Sequence, residues 1–213
     1  MKHEPQSTSP AKATTALATV GRPAGLAGRI EDAILDLAGK VPASDEPVSA
    51  APHARAQALA RSAAKSAAGV SGGAALAPGP FGLMTLLPDL LVVWKLQSKL
   101  VADIAAAYGQ SASLGKEQML YCLFKHAAAQ AFRDLVVRTG ERFIVRRAGV
   151  MLLQSLAGKI GLQIAQRTVG KAAARYLPLV GAAGVAGYAY YDTRKVADNA
   201  IALFSREISM EPA

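Results

Sequence analysis

From residue 26 onward, apolar side chains recur every three or four residues, the spacing of one face of an α-helix. Leu26, Ile30, Ala33, Ile34 and Leu37 make a short amphipathic helix with Gly39 as its stop. "KVPASDEPVSAAP" (40–52) has three prolines and two acids and reads as a linker. Beyond it, "HARAQALARSAAKSAAG" (53–69) is helical on alanine propensity, with Arg55, Arg61 and Lys65 as a basic side. Leu90, Val93, Trp94, Leu100, Val101, Ile104 and Tyr108 trace the next stripe, opened by Pro88 and closed by Gly109, with Gln97 inside it. A third periodic run, Leu120, Leu123, Phe124, Ala127, Ala131 and Leu135, predicts a helix over 116–138 that Gly140 ends. A further helix is expected from Glu141 to about Gly170, and an apolar, glycine-rich one over 171–204. No stretch alternates with period two, so the fold class is all-α: a helical bundle with glycine-rich apolar helices or hairpins. Residues 1–23, rich in Ser, Thr, Ala and Pro without periodicity, are expected to be disordered. The resulting organisation is 1–23, a helix plus linker at 24–52, a main helical domain at 53–205 and a tail at 206–213.

The window 66–88 has no charged side chain across 23 residues, which exceeds the roughly 20 needed for a membrane-spanning helix. Pro78, Gly79, Pro80 and Gly82 break it near the middle, leaving two legs of about a dozen residues, each too short to cross a bilayer. Lys65 and Lys95 flank this window, and Arg175, Arg194 and Lys195 flank the second apolar segment. By the positive-inside preference both ends of each segment stay on one side, which favours shallow hairpins over simple spans. Gly181, Gly184 and Gly187 strip side chains from one side of the last helix, and Gly69 and Gly73 do so more weakly in the first window. Such glycines allow close backbone approach in helix packing or in a membrane hairpin. Asp89, just after Pro88, is expected to cap the following helix, and Gln97 to serve as a structural polar group.

Composition sharpens this picture. Hydrophobic residues make up 52% of the chain and charged ones 18%, against about 25% in typical soluble domains. The net charge of +9 is concentrated: residues 125–175 hold ten basic side chains against two acids, an excess of eight. Within that run Arg138, Arg142, Arg146 and Arg147 precede the apolar stretch 148–157 and are the candidate contacts for anionic lipid headgroups. Nucleic acid is the other surface of fixed negative charge, but the basic residues alternate with Leu, Val and Ile, and aromatics reach only 6%. No nucleic-acid partner is therefore expected. The single Cys122 permits no intramolecular disulfide, and the N-terminal stretch lacks the apolar run of a secretory signal, which together favour a cytoplasmic location.

Candidate chemistry is sparse. Cys122 and His126 are one helical turn apart, but a metal site needs three or four ligands and His3 and His53 lie far off in sequence. A packed thiol beside an exposed imidazole is the expectation, with no metal and no cofactor. Asp192 and Asp198 flank a basic pair and are expected to form surface ion pairs of little worth. No catalytic residue is identified, and the chain is not read as an enzyme.

Two stretches carry a family resemblance. "LPDLLVVWKLQSKLVADIAAAYG" (87–109) and "YLPLVGAAGVAGYAYYDTRKVADNAIALF" (176–204) resemble the EcsC family of bacterial proteins. The matching positions are Asp89, Leu96, Gln97, Tyr108 and Gly109 in the first stretch, and Pro178, Gly181, Gly184, Tyr191, Thr193 and Arg194 in the second. Ala189 departs from the family's Asn, and the second glycine follows the first after three residues rather than four. The resemblance covers about residues 55–205. It implies an all-helical, membrane-associated accessory of a transporter or other membrane assembly, at the inner face of the cell membrane, with no established reaction. The competing expectation is a soluble helical interaction domain whose glycine faces pack internally.

Overall fold

The computed structural model describes residues 25–75, 86–127, 129–132, 136–139, 142–145, 150–171, 178–205 and 208–210. These form six α-helices, α1 (Leu26–Gly39), α2 (Pro52–Ala75), α3 (Leu86–Ala107), α4 (Lys116–Phe124), α5 (Val150–Lys171) and α6 (Pro178–Phe204). The protein is all-α in class, as the periodicity predicts. Three short strands, β1 (Val136–Thr139), β2 (Arg142–Val145) and β3 (Ile208–Met210), make a small sheet in that order. The expected disorder of 1–23 falls outside the described residues.

Helices α2, α3 and α6 form a three-helix bundle. Gly72 lies against Ala186 and Ala182, while Gln57, four turns earlier on α2, bonds Arg194, so α2 and α6 run antiparallel. Gln97 of α3 meets Thr193 of α6, and Gln110 just past α3 donates to the Phe204 carbonyl at the end of α6, so these two run parallel. Alanine makes the α2 seam possible: Ala56, Ala60, Ala64 and Ala67 are fully buried at spacings of three and four. With only a methyl group between backbones, the two helices approach closely.

The other helices cover one end of this bundle. In α4 every side chain from Gln118 through Phe124 is buried. It is roofed by Ile30, Ile34 and Leu37 of α1, Leu156 and Ile160 of α5, and Phe204 of α6. Trp94 meets Phe124 edge-on, with ring centroids 5.2 Å apart. The largest fully buried side chains all belong to this end. Towards the far end the core thins to a separate cluster of Ala67, Val93 and Ala189.

Four expectations change. The stretch 40–52 does not hold α1 apart from the body, because Ile30, Ile34 and Leu37 share the main core. Most of it is a strap fastened to α3 by Ser49 N–H to the Ala107 carbonyl (3.0 Å) and Ser44 Oγ to Asp103 (2.6 Å). The helix expected over 116–138 ends at Phe124, and β1 and β2 occupy part of the stretch whose spacing predicts two helices. Val136, Val137, Ile144 and Val145 are β-branched and favour an extended backbone, and β1 pairs antiparallel with β2. The expected tail contains β3, which pairs parallel with β2. Finally, α3 begins at Leu86, so Asp89 lies within its first turn rather than at the cap, where its charge still suits the positive end of the helix.

Candidate functional site

The polar centre of the bundle is built on Asp192 of α6. One carboxylate oxygen accepts from Gln97 Nε2 at 2.7 Å, and the other lies 2.7 Å from His126 Nε2 in the turn after α4. Gln97, only 1% exposed, also donates to Thr193 Oγ1 at 3.2 Å. Next along α6, Arg194 donates to Gln57 of α2 at 3.0 Å, and Asn199 donates to the Cys122 carbonyl at 3.1 Å. A single stretch of α6 therefore fastens α2, α3 and α4. The two stretches that carry the family resemblance meet here, at Gln97 and Thr193. Asp192 is not the surface ion-pair residue expected, since it and His126 are each only 15% exposed along their side chains. Asp198 does pair at the surface, with Lys195 at 3.6 Å.

Around this centre the electrostatics follow burial. Desolvation pushes the Cys122 thiol and the Tyr121 phenol far above their ordinary ranges. It pulls the Lys125 ammonium down, although that group sits 4.8 Å above the Tyr121 ring. Cys122 is packed, as expected, but His126 is half-buried and paired rather than exposed. No group of three His, Cys, Asp or Glu placed to hold a metal ion occurs among the described residues.

The glycines divide differently from the expected packing faces. A Cβ on Gly69, Gly73, Gly184 or Gly187 would meet nothing within 4 Å, so these residues do not mediate the α2–α6 seam. Gly72 does, since a Cβ there would lie 3.1 Å from the Ala186 methyl. Gly161 plays the same part on α5, where a Cβ would stand 3.0 Å from the Ala27 carbonyl oxygen of α1. Gly181 lies in the first turns of α6, and Pro78 and Pro80 lie outside the described residues. The expected break in the first apolar window, at residues 78–82, also lies outside the described residues, between the end of α2 at Ala75 and the start of α3 at Leu86.

These open glycines belong to an end of the bundle with an unusual surface. Beyond the layer of Ala67, Val93 and Ala189, α2, α3 and α6 carry no charged side chain except Asp89. Val70, Val92 and Tyr188 are exposed there, with Tyr190 and Tyr191 at its border. On the other side of the layer each helix presents a lysine: Lys65 and Lys95 are exposed, and Lys195 stacks 5.7 Å over Tyr191. No described helix is long and apolar enough to cross a membrane.

Two of the candidate headgroup arginines lie among the described residues. Arg138 and Arg142 lie in β1 and β2, paired with Phe143 and Thr139 respectively. Arg146 and Arg147 lie outside the described residues. Comparison with known protein families, with curated proteins and with solved structures finds no match.

Proposed function

We propose that this chain is a non-catalytic protein of an anionic membrane surface, an accessory to a transporter or other membrane assembly, docking by the uncharged end of the α2–α3–α6 bundle. The resemblance to the EcsC family, and the cytoplasmic face it implies, belong to the same proposal. One observation carries it: an exposed apolar end of the bundle, bordered by tyrosines and then by one lysine from each helix. That order matches the layers of a bilayer, since aromatic rings favour the interface and lysines favour anionic headgroups.

The two contributions are of comparable size. Burying a valine side chain is worth about 1.5 kcal/mol or more, and each lysine near an anionic surface about 1 kcal/mol. Lys65 and Lys95 then contribute about 2 kcal/mol, a factor of roughly thirty in affinity, and Lys195, paired with Asp198, adds less. Arg138, Arg142, Arg146 and Arg147 add a second basic region to the chain.

The alternative of a soluble interaction domain with internally packed glycine faces has Gly72 and Gly161 in its favour and the open Gly69, Gly73, Gly184 and Gly187 against it. Flotation of the full chain with phosphatidylserine-containing vesicles separates the two. Membrane docking predicts flotation at low salt, weakening as salt screens the lysines. Protein remaining at the bottom of the gradient with acidic vesicles at low salt contradicts it.

A further inference from the structure

Resting on the membrane-surface reading, we infer that the uncharged end of the bundle enters a single leaflet as a preformed wedge, as far as the Ala67–Val93–Ala189 layer, and stops where Lys65, Lys95 and Lys195 reach the headgroups.

The helix register fixes this boundary. Ala67, Val93 and Ala189 pack together, so they mark one level on all three helices. Lys65 is two residues to one side of that level on α2, Lys95 two residues on α3 and Lys195 six residues on α6. At about 1.5 Å per residue Lys65 and Lys95 stand about 3 Å beyond the layer and Lys195 about 9 Å, all on the side away from the apolar end. On the opposite side α2 runs to Ala75, α3 back to Leu86 and α6 back to Pro178.

Length decides how far the wedge goes. At about 1.5 Å per residue, α6 extends about 16 Å past the layer, α2 about 12 Å and α3 about 10 Å. A hydrocarbon core is about 30 Å thick, so the wedge reaches about halfway. It fills one leaflet and crosses neither. Tyr188 and Tyr191, exposed beside the layer, fall at the interface where amphipathic rings are favoured. Asp89 is four residues past Val93, in the first turn of α3, where the helix's positive end favours its charge.

The occupant is lipid rather than a second copy of the chain. Two copies meeting end to end would bring Lys65 and Lys95 of one towards those of the other, and α2, which carries Lys65, contains no Asp or Glu to offset them, while Lys195 already has Asp198 beside it at 3.6 Å. An anionic leaflet supplies both the apolar interior and the negative rim.

Single-cysteine labelling tests the depth. Gly73→Cys and Gly184→Cys place a probe in open space within the wedge, while Ser111→Cys and Ser155→Cys report from exposed sites away from it. Cys122 is buried and stays unlabelled in the folded protein. With a polarity-sensitive fluorophore and phosphatidylserine vesicles, the first pair should brighten several-fold and be quenched by nitroxides on the lipid acyl chains, and the second pair should not change. The triple variant Lys65→Glu, Lys95→Glu, Lys195→Glu should weaken vesicle binding at least tenfold. Flotation with unchanged signals at Gly73→Cys and Gly184→Cys overturns the wedge and leaves membrane docking standing. Absence of flotation overturns both. Shielding of these probes without vesicles, with a doubled mass in sedimentation, overturns the wedge in favour of a second copy.

Discussion

The imidazole of His126 and the carboxylate of Asp192, 66 residues apart in sequence, lie 2.7 Å apart, and the same carboxylate accepts from Gln97 on its other oxygen. Asp192 is thus the shared acceptor that ties the end of α4 and the middle of α3 to α6. Its replacement leaves two polar groups without their partner, and an orphaned buried group costs about 1–3 kcal/mol. Asp192→Ala is expected to lower unfolding stability by about 2–3 kcal/mol in urea titration. In a double-mutant cycle with His126→Ala the two losses should fall short of additive by at least 0.5 kcal/mol, on the order expected of directly bonded groups.

Two kinds of glycine respond in opposite directions to added side chains. Gly69→Ala and Gly184→Ala add a methyl group in open space within a helix and should stabilise the fold by about 0.5–1 kcal/mol each. Gly72→Val must displace Ala186, and Gly161→Ala must press on the Ala27 backbone of α1. Both should cost about 1–3 kcal/mol. Melting temperatures of the four variants check the division.

The strap bears a pH-sensitive contact. The Arg55 guanidinium bonds both oxygens of Glu46, at 2.6 and 2.8 Å, and holds its carboxyl below the usual glutamate range. A depressed folded value means that this stabilisation is complete above the ordinary glutamate pKa of about 4.3 and drains away as pH falls through the folded value. Glu46→Gln should therefore lower stability at pH 7 and make no difference near pH 2. Because the arginine is exposed, the effect is small and weakens with salt. Thermal melts of both proteins across pH 2–7 measure it.

Cys122 lies wholly within the core, with its thiol pushed far up by burial. The folded protein should resist alkylation at pH 8, and labelling should become complete in urea. Reaction at a rate close to that of a free thiol would show that α4 opens readily.

How much of this was legible depends on the range of each interaction. The α3 stripe and its end at Gly109 were readable because they are local, and Gly109 has the positive φ of +70° that favours glycine after a helix. The β1–β2 pair was not, because strands of four residues rest on too few positions to distinguish alternation from helical spacing. Gly140 and Glu141, between the paired Thr139 and Arg142, lie outside the described residues. Gly72 was missed because α2 is so rich in Ala, Gly and Ser that hydrophobicity hardly marks its inner face, whereas the Ala56–Ala60–Ala64–Ala67 stripe, continued to Ser71, does. Nothing local marked Asp192 as the partner of Gln97, which lies 95 residues away.

The open glycines also permit the most direct test of membrane docking. Gly73→Glu and Gly187→Glu put carboxylates on the uncharged end of the bundle without meeting a neighbour within 4 Å at the Cβ, so the helices should remain folded by circular dichroism. Flotation of the wild type and this double variant with phosphatidylserine vesicles at low salt is the decisive comparison. The wild type is expected to float and the variant to lose at least tenfold in vesicle affinity. Equal flotation of the two would contradict docking through this end.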